Sequence, residues 1–389
     1  MPVLDSAAPR SAWLRAAVAV YLTIRVSALG FTLVLPLVGA ASAAAHPGLA
    51  RMAGLMLVAL SFHVFAYVLN DVVDLWLDRS EPLRADSPLV QGAVGPRRLM
   101  VLAWAQLPIA FGLVWALGAH RAALALLGLA FAAMAVYDVY GKRCRWPLLT
   151  DAVQSIGWCA LLGVGAWWDG PVWPAHTGWI TAYVFFCVML VQGVHGGLRD
   201  LANDQRGGAR TTALWLGARP FAATGIVVSR VMVAYAVMLQ AALWVTALAA
   251  LTALASPMWP TLPPLPTSPT TQEATASPSH AAELVEQPQW LSLCVIALLA
   301  AATVALVLAY QRRADRQRLI AAGAWNIVAT LFVLPALAAQ AQALAAVEAV
   351  VLLGALALPI ASMLVYNGSH WRLAPEPRPE PTLTAGAPR

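Results

Sequence analysis

The chain has 389 residues, of which 60% are hydrophobic and only 11% are charged, whereas about a quarter of the residues in an ordinary soluble domain are charged. Its mean hydropathy of +0.71 excludes a soluble globular protein and indicates a polytopic protein embedded in a lipid bilayer. The formal net charge of +6 does not indicate a nucleic-acid partner, because the basic residues are dispersed among short loops between apolar segments.

About ten apolar segments are long enough to cross a bilayer as helices. A spanning helix takes about 20 residues, because backbone amides in hydrocarbon must be hydrogen-bonded within the segment. The predicted spans cover residues 22–44, 50–70, 97–118, 121–140, 149–168, 177–196, 222–255, 290–310, 319–340 and 343–366. The predicted fold class is therefore all-α, a polytopic membrane bundle of about nine to ten transmembrane helices.

The second span leads into the acidic sequence Asn70-Asp71-Val-Val-Asp74-Leu-Trp-Leu-Asp78. If the helix continues through this sequence, residues 70, 74 and 78 fall on one face and Asp71 is offset by one residue. Carboxylates this close raise each other's pKa unless a cation lies between them. Mg²⁺ suits such a place, because it binds hard oxygen ligands and completes its shell with water and substrate phosphates. The alternative is a set of interfacial aspartates that cap helices or balance arginines.

Two groups of basic residues near or within the spans bear on function: Lys142 with Arg143, and Arg25. Lys142 is the only lysine, and it follows the fourth span in Tyr137-Asp-Val-Tyr140-Gly-Lys142-Arg143. Its ammonium group is suited to bind a diphosphate as a point charge, although Lys142 and Arg143 alone are more typical of a topology signal. Arg25 lies well inside the first apolar segment and is expected either to face the bundle interior or to reach the membrane edge.

The sixth span leads into a second acidic sequence, Asp200-Leu-Ala-Asn-Asp204, whose two aspartates are again one helical turn apart. Arg199, Arg206 and Arg210 flank it. Two such clusters, each following a span, indicate a divalent metal site for a phosphorylated substrate.

Arginine-rich loops follow the even-numbered spans, so the positive-inside rule places the N-terminus and both acidic clusters on the cytoplasmic side of the cell membrane. Residues 256–289 are rich in Pro, Ser and Thr and contain no Lys or Arg, which predicts a disordered non-cytoplasmic insert. The four cysteines show no paired spacing and indicate neither disulfides nor a zinc site. The predicted organisation is an N-terminal segment 1–15, a catalytic core 16–255, the insert 256–289, C-terminal helices 290–371 and a disordered tail 372–389.

The two acidic sequences match the NDxxDxxxD and DxxxD motifs of the UbiA superfamily of intramembrane prenyltransferases, which the chain resembles over roughly residues 15–255. The run that begins Ser87-Pro88-Leu-Val-Gln-Gly92 is similar to the RPLxxG loop of the family, and Arg84 is the candidate to replace the arginine that Ser87 lacks. The YxxxK pattern of the family is not met literally, since Tyr137 lies five residues before Lys142 and Tyr140 two.

The resemblance implies a bundle around a central cavity that opens to lipid, with Mg²⁺ coordinated by both motifs to an isoprenyl diphosphate. The implied metal ligands are Asn70, Asp71, Asp74, Asp78, Asp200 and Asp204. The implied catalytic residues are Asp71, Asp74, Asp200 and Lys142. The implied diphosphate contacts are Lys142, Arg143, Arg84, Arg199 and Arg206.

We therefore expect an Mg²⁺-dependent prenyltransferase that transfers a prenyl group to an aromatic or other electron-rich acceptor of unknown identity. A membrane terpene cyclase uses the same motifs and stays open as an alternative. Polar anchors for an acceptor would favour transfer, and a closed aromatic contour would favour cyclisation. A cation-binding transporter is a remoter alternative, because transporters place their charges near the midplane. Candidates for cation–π stabilisation of an allylic cation are Trp76, Trp104, Tyr137, Tyr140 and Trp158.

Overall fold

The fold is known from a computed structural model, which describes residues 12–43, 47–81, 84–221, 225–255, 289–309, 313–341 and 346–371. The predicted tail and the predicted insert lie outside these residues, except for Gln289 at the end of the insert, where a helix begins.

The described residues form helices connected mostly by short turns. The helices are α1 Ala12–Thr23, α2 Leu29–Ala43, α3 Leu49–Val73, α4 Leu75–Asp78, α5 Pro96–Ala116, α6 Arg121–Tyr140, α7 Pro147–Ala166, α8 Ala175–Met189, α9 Gly197–Arg199, α10 Leu201–Gly207, α11 Thr212–Trp215, α12 Arg230–Ala255, α13 Gln289–Ala309, α14 Arg316–Ala341 and α15 Ala346–Trp371. A 3-10 turn at Val26–Ala28 precedes α2, and a π-helical segment at Leu190–Gly196 joins α8 to α9.

Within the described ranges, nine helices are long and apolar enough to cross a membrane, and Ala346–Ala361 forms a shorter apolar helix. This confirms the predicted all-α, polytopic membrane bundle. Large apolar side chains on the outer faces are exposed, among them Trp115 at 77% and Leu358 at 73%. In a protein of this composition such faces contact lipid rather than water.

Two predicted span boundaries are wrong. The first span, 22–44, is interrupted at Arg25, whose φ of 50° lies in the left-handed region. The seventh span, 222–255, begins only at Arg230, because the hydroxyl of Ser229 accepts a hydrogen bond from the Met232 amide at 3.0 Å and so caps the helix there.

The residues before α12 instead form a small antiparallel sheet, which the all-α prediction did not include. Its strands are β1 Arg219–Phe221, β2 Gly225–Val227 and β3 Arg313–Asp315, in the order β1-β2-β3. Strand β3 ends one residue before α14 begins, so the sheet connects the start of α12 to the start of α14.

Close helix packing fixes the bundle around α2 and α7. A Cβ atom on Gly165 of α7 would collide with the backbone carbonyl oxygen of Pro36, and one on Gly39 of α2 would collide with that of Leu162. The two backbones therefore touch, which only glycine allows. Trp158, also on α7, is 1% exposed and packs with its ring centroid 5.2 Å from that of Phe62 on α3.

Candidate active site

The first acidic sequence lies where α3 ends. Asp74 joins α3 to α4, and its amide still donates to the Asn70 carbonyl at 2.8 Å, so the helical path is nearly continuous. The side chains of Asp71, Asp74 and Asp78 are all buried. Carboxylates are buried at such a place only when they are paired or coordinate a metal.

Two arginines neutralise one side of this sequence. The Arg84 guanidinium lies 3.0 Å from Asp71 Oδ1 and 3.6 Å from Asp78 Oδ2, so one side chain spans both carboxylates. Arg25 donates from Nη2 to Asp71 and lies 5.3 Å from the centre of the Tyr67 ring. Burial, together with the neighbouring Asp71 charge, raises the pKa of Asp78 to about 7.

Arg25 thus faces the bundle interior and does not reach out to the membrane edge. Its left-handed backbone stores strain of about 1–3 kcal/mol in a non-glycine residue. Such strain persists where the surroundings hold the side chain, and here the Asp71 pair does so. The Arg84 position agrees with the expectation that Arg84 replaces the arginine missing at Ser87.

The second acidic sequence follows α9. Asp200 precedes α10 and Asp204 lies one turn later, with its amide donating to the Asp200 carbonyl at 2.9 Å. Arg199 binds Asp200 in a bidentate pair, at 2.8 Å from Nε and 2.7 Å from Nη2. Burial alone would raise the pKa of Asp200, but the Arg199 pair holds it below its ordinary value.

Lys142, at the end of α6, brings the two sequences together. Its Nζ atom lies 3.1 Å from Asp74 Oδ2 and 3.5 Å from Asp204 Oδ1. Burial alone would lower the pKa of Lys142, but the charges of Asp74 and Asp204 raise it above its ordinary value. Burial raises the pKa of Asp204 to about 6, and Lys142 opposes that rise. Carboxylates from both motifs therefore lie within reach of one cation, as a joint site requires.

Contacts between the loops keep the two motifs at this distance. The Ser80 hydroxyl donates to Asn203 Oδ1 at 2.8 Å, and Asn203 Nδ2 donates to the Leu77 carbonyl at 3.1 Å. The Arg210 amide donates to the Lys142 carbonyl at 2.8 Å. Asn203, inside the second motif, is thus a structural link to the first.

Not every predicted residue joins this cluster. Across the described ranges, Arg143 and Arg206 form no ion pair, and both are exposed; Arg206 instead donates to the Ala202 carbonyl of its own helix at 3.2 Å. Among the aromatic candidates, Trp76, Trp104 and Tyr140 are exposed, whereas Trp158 is buried.

Asp138 and Gln154 are two buried polar residues that the sequence pattern did not single out. Asp138 lies on α6, four residues before Lys142, and Asn70 lies on α3, four residues before Asp74. Helices α6 and α7 run antiparallel: Gly157 packs against Ala133, and nearer the Lys142 end Thr150 donates to the Gly141 carbonyl at 3.4 Å. This register puts Gln154 at the level of Val136 and Tyr137, close to the level of Asp138.

Both residues are 4% exposed. In the part of the chain that the structure describes, Oε1 of Gln154 and both carboxylate oxygens of Asp138 lack a hydrogen bond of good geometry, although the Asn70 side chain lies beside Asp138. Unpaired buried oxygens call for an explanation, and here they lie one turn inside the Asp74–Lys142 pair. The spacing of Asp138 from Lys142 was the only sequence signal for it.

The donor set fits Mg²⁺. Asp74 and Asp204 contact Lys142, the Asn70 amide contacts Asp74, and Asp200 lies one turn before Asp204. All four side chains carry hard oxygen donors of the kind Mg²⁺ prefers. Within the described residues, no three acidic, histidine or cysteine side chains are close enough together to hold an ion alone. Mg²⁺ is commonly held by one or two carboxylates together with substrate phosphates, which this arrangement can provide.

The chain is similar to known proteins in sequence and in fold. The sequence profile of the UbiA prenyltransferase family matches residues 28–265. A 4-hydroxybenzoate octaprenyltransferase from Xylella fastidiosa is 31% identical over 153 residues, which are 38% of this chain and 47% of that protein. The chain thus spans about half the length of the curated relatives it matches.

Two solved structures share the fold. A UbiA homologue from Aeropyrum pernix K1 superposes with a TM-score of 0.54 at 20% identity, covering 81% of this chain and 97% of that one. A digeranylgeranylglyceryl phosphate synthase superposes with a TM-score of 0.51 at 12% identity, covering 84% of this chain and 99% of that one. At these identities the likeness concerns the fold alone.

Proposed function

Because the chain belongs to the UbiA prenyltransferase family, we propose that it is an Mg²⁺-dependent enzyme that ionises an isoprenyl diphosphate and transfers the prenyl group to an acceptor. The observation that carries this proposal is the position of Lys142 between Asp74 and Asp204. A single cation already bridges the two motifs, so divalent ions with a diphosphate between them can be held by the same oxygens.

Asn70, Asp74, Asp200 and Asp204 would hold Mg²⁺, which when bound neutralises the negative charge of the diphosphate leaving group. Asp71 and Asp78 would complete the site by holding Arg25 and Arg84 at its edge. Arg199 keeps Asp200 ionised and fixed in orientation, which a ligand carboxylate requires.

Fixed positive charges would stabilise the diphosphate as its bond to the prenyl group breaks, which is an effect of preorganised electrostatics. Lys142 is the central such group, and its side chain is 25% exposed. Arg143 and Arg206 are exposed at the rim, where they can meet the approaching diphosphate. Since arginine-rich loops lie at this end of the bundle, we place the site on the cytoplasmic side.

Transfer is favoured over cyclisation by Asp138 and Gln154. A terpene cyclase must surround the allylic cation with apolar and aromatic groups, whereas unpaired oxygens one turn inside the metal site suit an acceptor that donates hydrogen bonds. The aromatic acceptor 4-hydroxybenzoate, which appears in the name of a relative, is a natural first probe.

The test is turnover in membranes that contain the protein, supplied with Mg²⁺ and farnesyl or geranylgeranyl diphosphate. The incubations run with and without 4-hydroxybenzoate or a cell extract, and products are identified by mass spectrometry. A prenylated product that needs the acceptor supports transfer, whereas cyclic hydrocarbons formed without it support a cyclase.

Asp74→Ala and Asp200→Ala should each abolish turnover, because they remove ligands from different motifs. The matched control is Asp86→Ala, since Asp86 is exposed and lies outside both motifs. Full Mg²⁺-dependent activity in either motif variant would refute the enzyme proposal.

A further inference from the structure

Helix α14 contacts the candidate site from outside the segment that matches the family profile, which ends at residue 265. Its first residue, Arg316, donates to the Arg199 carbonyl from Nε at 3.1 Å and from Nη2 at 2.8 Å. The same Nη2 lies 3.4 Å from Glu81 Oε1. The Arg316 guanidinium therefore contacts both Glu81, shortly after the first motif, and Arg199, which directly precedes Asp200.

The small sheet determines where Arg316 lies. Strand β3 pairs with β2 along its whole length, with Asp315 opposite Gly225. Arg316 is the next residue, so its backbone is fixed by strand pairing on one side and by α14 on the other. The backbone entropy at this position is thus lost when the sheet and the helix form, and only the side-chain rotamer entropy is lost when Arg316 makes its contacts.

A second contact, deeper in the bundle, also joins α14 to the segment that precedes Asp200. His195 Nε2 lies 2.8 Å from Asn326 Oδ1, and Asn326 Nδ2 donates to the Ala302 carbonyl at 2.7 Å. Gly323 leaves room for the His195 ring, because a Cβ atom there would lie 2.8 Å from its Nδ1 atom. Helix α14 thus holds residues 195 and 199, one turn apart, on the segment that leads into Asp200.

That segment is π-helical from Leu190 to Gly196. π-Helical turns are rare and occur frequently at functional sites. The wider turn also changes the direction in which the following side chains point. Here the change sets the orientation of Arg199 and, through its bidentate pair, of Asp200. Residues that orient a metal-ligating side chain through hydrogen bonds typically lower metal affinity or activity by about 10- to 100-fold when they are removed.

We propose that Arg316 is a positioning residue of the metal site, which holds Arg199 and the turn at Glu81 so that both acidic motifs keep their spacing. The proposal rests on the proposed function. Arg316 does not touch substrate; it acts through Arg199 on Asp200.

The test compares Arg316→Ala with Arg316→Lys, with Arg318→Ala as the matched control. Arg318 lies two residues later on the same helix and is exposed. Binding of Mn²⁺, a spectroscopic substitute for Mg²⁺, is measured by electron paramagnetic resonance on the purified full chain in the presence of diphosphate. Half-saturating Mg²⁺ and kcat are measured with farnesyl diphosphate, and the unfolding midpoint is recorded for every variant.

We expect Arg316→Ala to raise the Mn²⁺ dissociation constant and the half-saturating Mg²⁺ concentration by at least about 10-fold. Its unfolding midpoint should also fall, because the buried Glu81 carboxylate loses an ion-pair partner. Arg316→Lys should restore part of the affinity, since an ammonium group can keep one of the two contacts. Arg318→Ala should behave as the wild type.

Unchanged metal affinity in Arg316→Ala would overturn the proposal. A lower unfolding midpoint with unchanged metal affinity would also overturn it, because the residue would then serve the fold alone. If the wild-type protein does not turn over any isoprenyl diphosphate, the proposed function fails, whereas the Mn²⁺ measurement still decides the role of Arg316.

Discussion

Replacing Lys142 by methionine removes the one charge that contacts both acidic motifs. Methionine keeps most of the aliphatic volume, so the change isolates the ammonium group. The Asp74 and Asp204 side chains are only 7% and 2% exposed, and without Lys142 their charges are left buried and largely uncompensated. We expect the variant to be less stable than the wild type when no divalent ion is present.

The size of the loss follows from the burial. Removing one partner of a buried ion pair destabilises a protein by about 3–5 kcal/mol. The lower end applies here, because a carboxyl group with a pKa of about 6, such as Asp204, can take up a proton instead of remaining charged. A ligand at 100 times its dissociation constant stabilises a protein by about 2.7 kcal/mol. Mg²⁺ should therefore restore most of the stability.

The assay is unfolding in detergent, followed by tryptophan fluorescence with and without Mg²⁺. We expect Mg²⁺ to raise the unfolding midpoint of Lys142→Met more than that of the wild type, in which Lys142 competes for the same carboxylates. Turnover of farnesyl diphosphate should fall by about 100- to 1,000-fold, the usual effect of losing one group that stabilises a developing negative charge.

The control is Arg143→Met, which removes an exposed neighbouring charge and should leave the midpoint unchanged. If Lys142→Met were as stable as the wild type without Mg²⁺, or gained less from Mg²⁺ than the wild type, the two motifs would not share one cation site.

Two further predictions concern buried positions near the site. Asp138→Asn keeps the shape of the side chain but replaces one acceptor oxygen by a donor group, so it should reduce transfer to the acceptor while diphosphate release continues. Unchanged product yield would contradict the acceptor role. Gly165→Ala should lower the unfolding midpoint, because the added methyl group would collide with the Pro36 carbonyl oxygen of α2. The matched change Gly112→Ala should be neutral or slightly stabilising, because no atom lies within 4 Å of the position of its added methyl group. Equal effects of the two changes would show that α2 and α7 do not pack this tightly.

The features that sequence predicted best are those with a strong local signal. Long apolar runs gave the spans to within a few residues for most helices, because hydrocarbon admits few other backbone structures. The convergence of the acidic motifs was predictable from their shared side of the membrane. Asp74 and Asp204 do lie within reach of the same ammonium group.

The features that sequence did not predict depend on contacts between distant residues. The strand pairing of residues 313–315 with 225–227 joins segments almost 90 residues apart, and short strands carry little periodic signal. The left-handed backbone at Arg25 follows from its pair with Asp71 and has no local glycine to indicate it. Asp138 and Gln154 come to a similar depth in the bundle only through the register of α6 and α7.

The central claim is that both acidic motifs bind one Mg²⁺–diphosphate unit, and binding of an unreactive substrate analogue tests it most directly. Farnesyl thiolodiphosphate is titrated into the purified full chain by calorimetry, with and without Mg²⁺. We predict binding that requires Mg²⁺, that is lost in both Asp74→Asn and Asp204→Asn, and that persists in Asp86→Asn. Binding that needs no Mg²⁺, or that survives the loss of either motif aspartate, would contradict the claim.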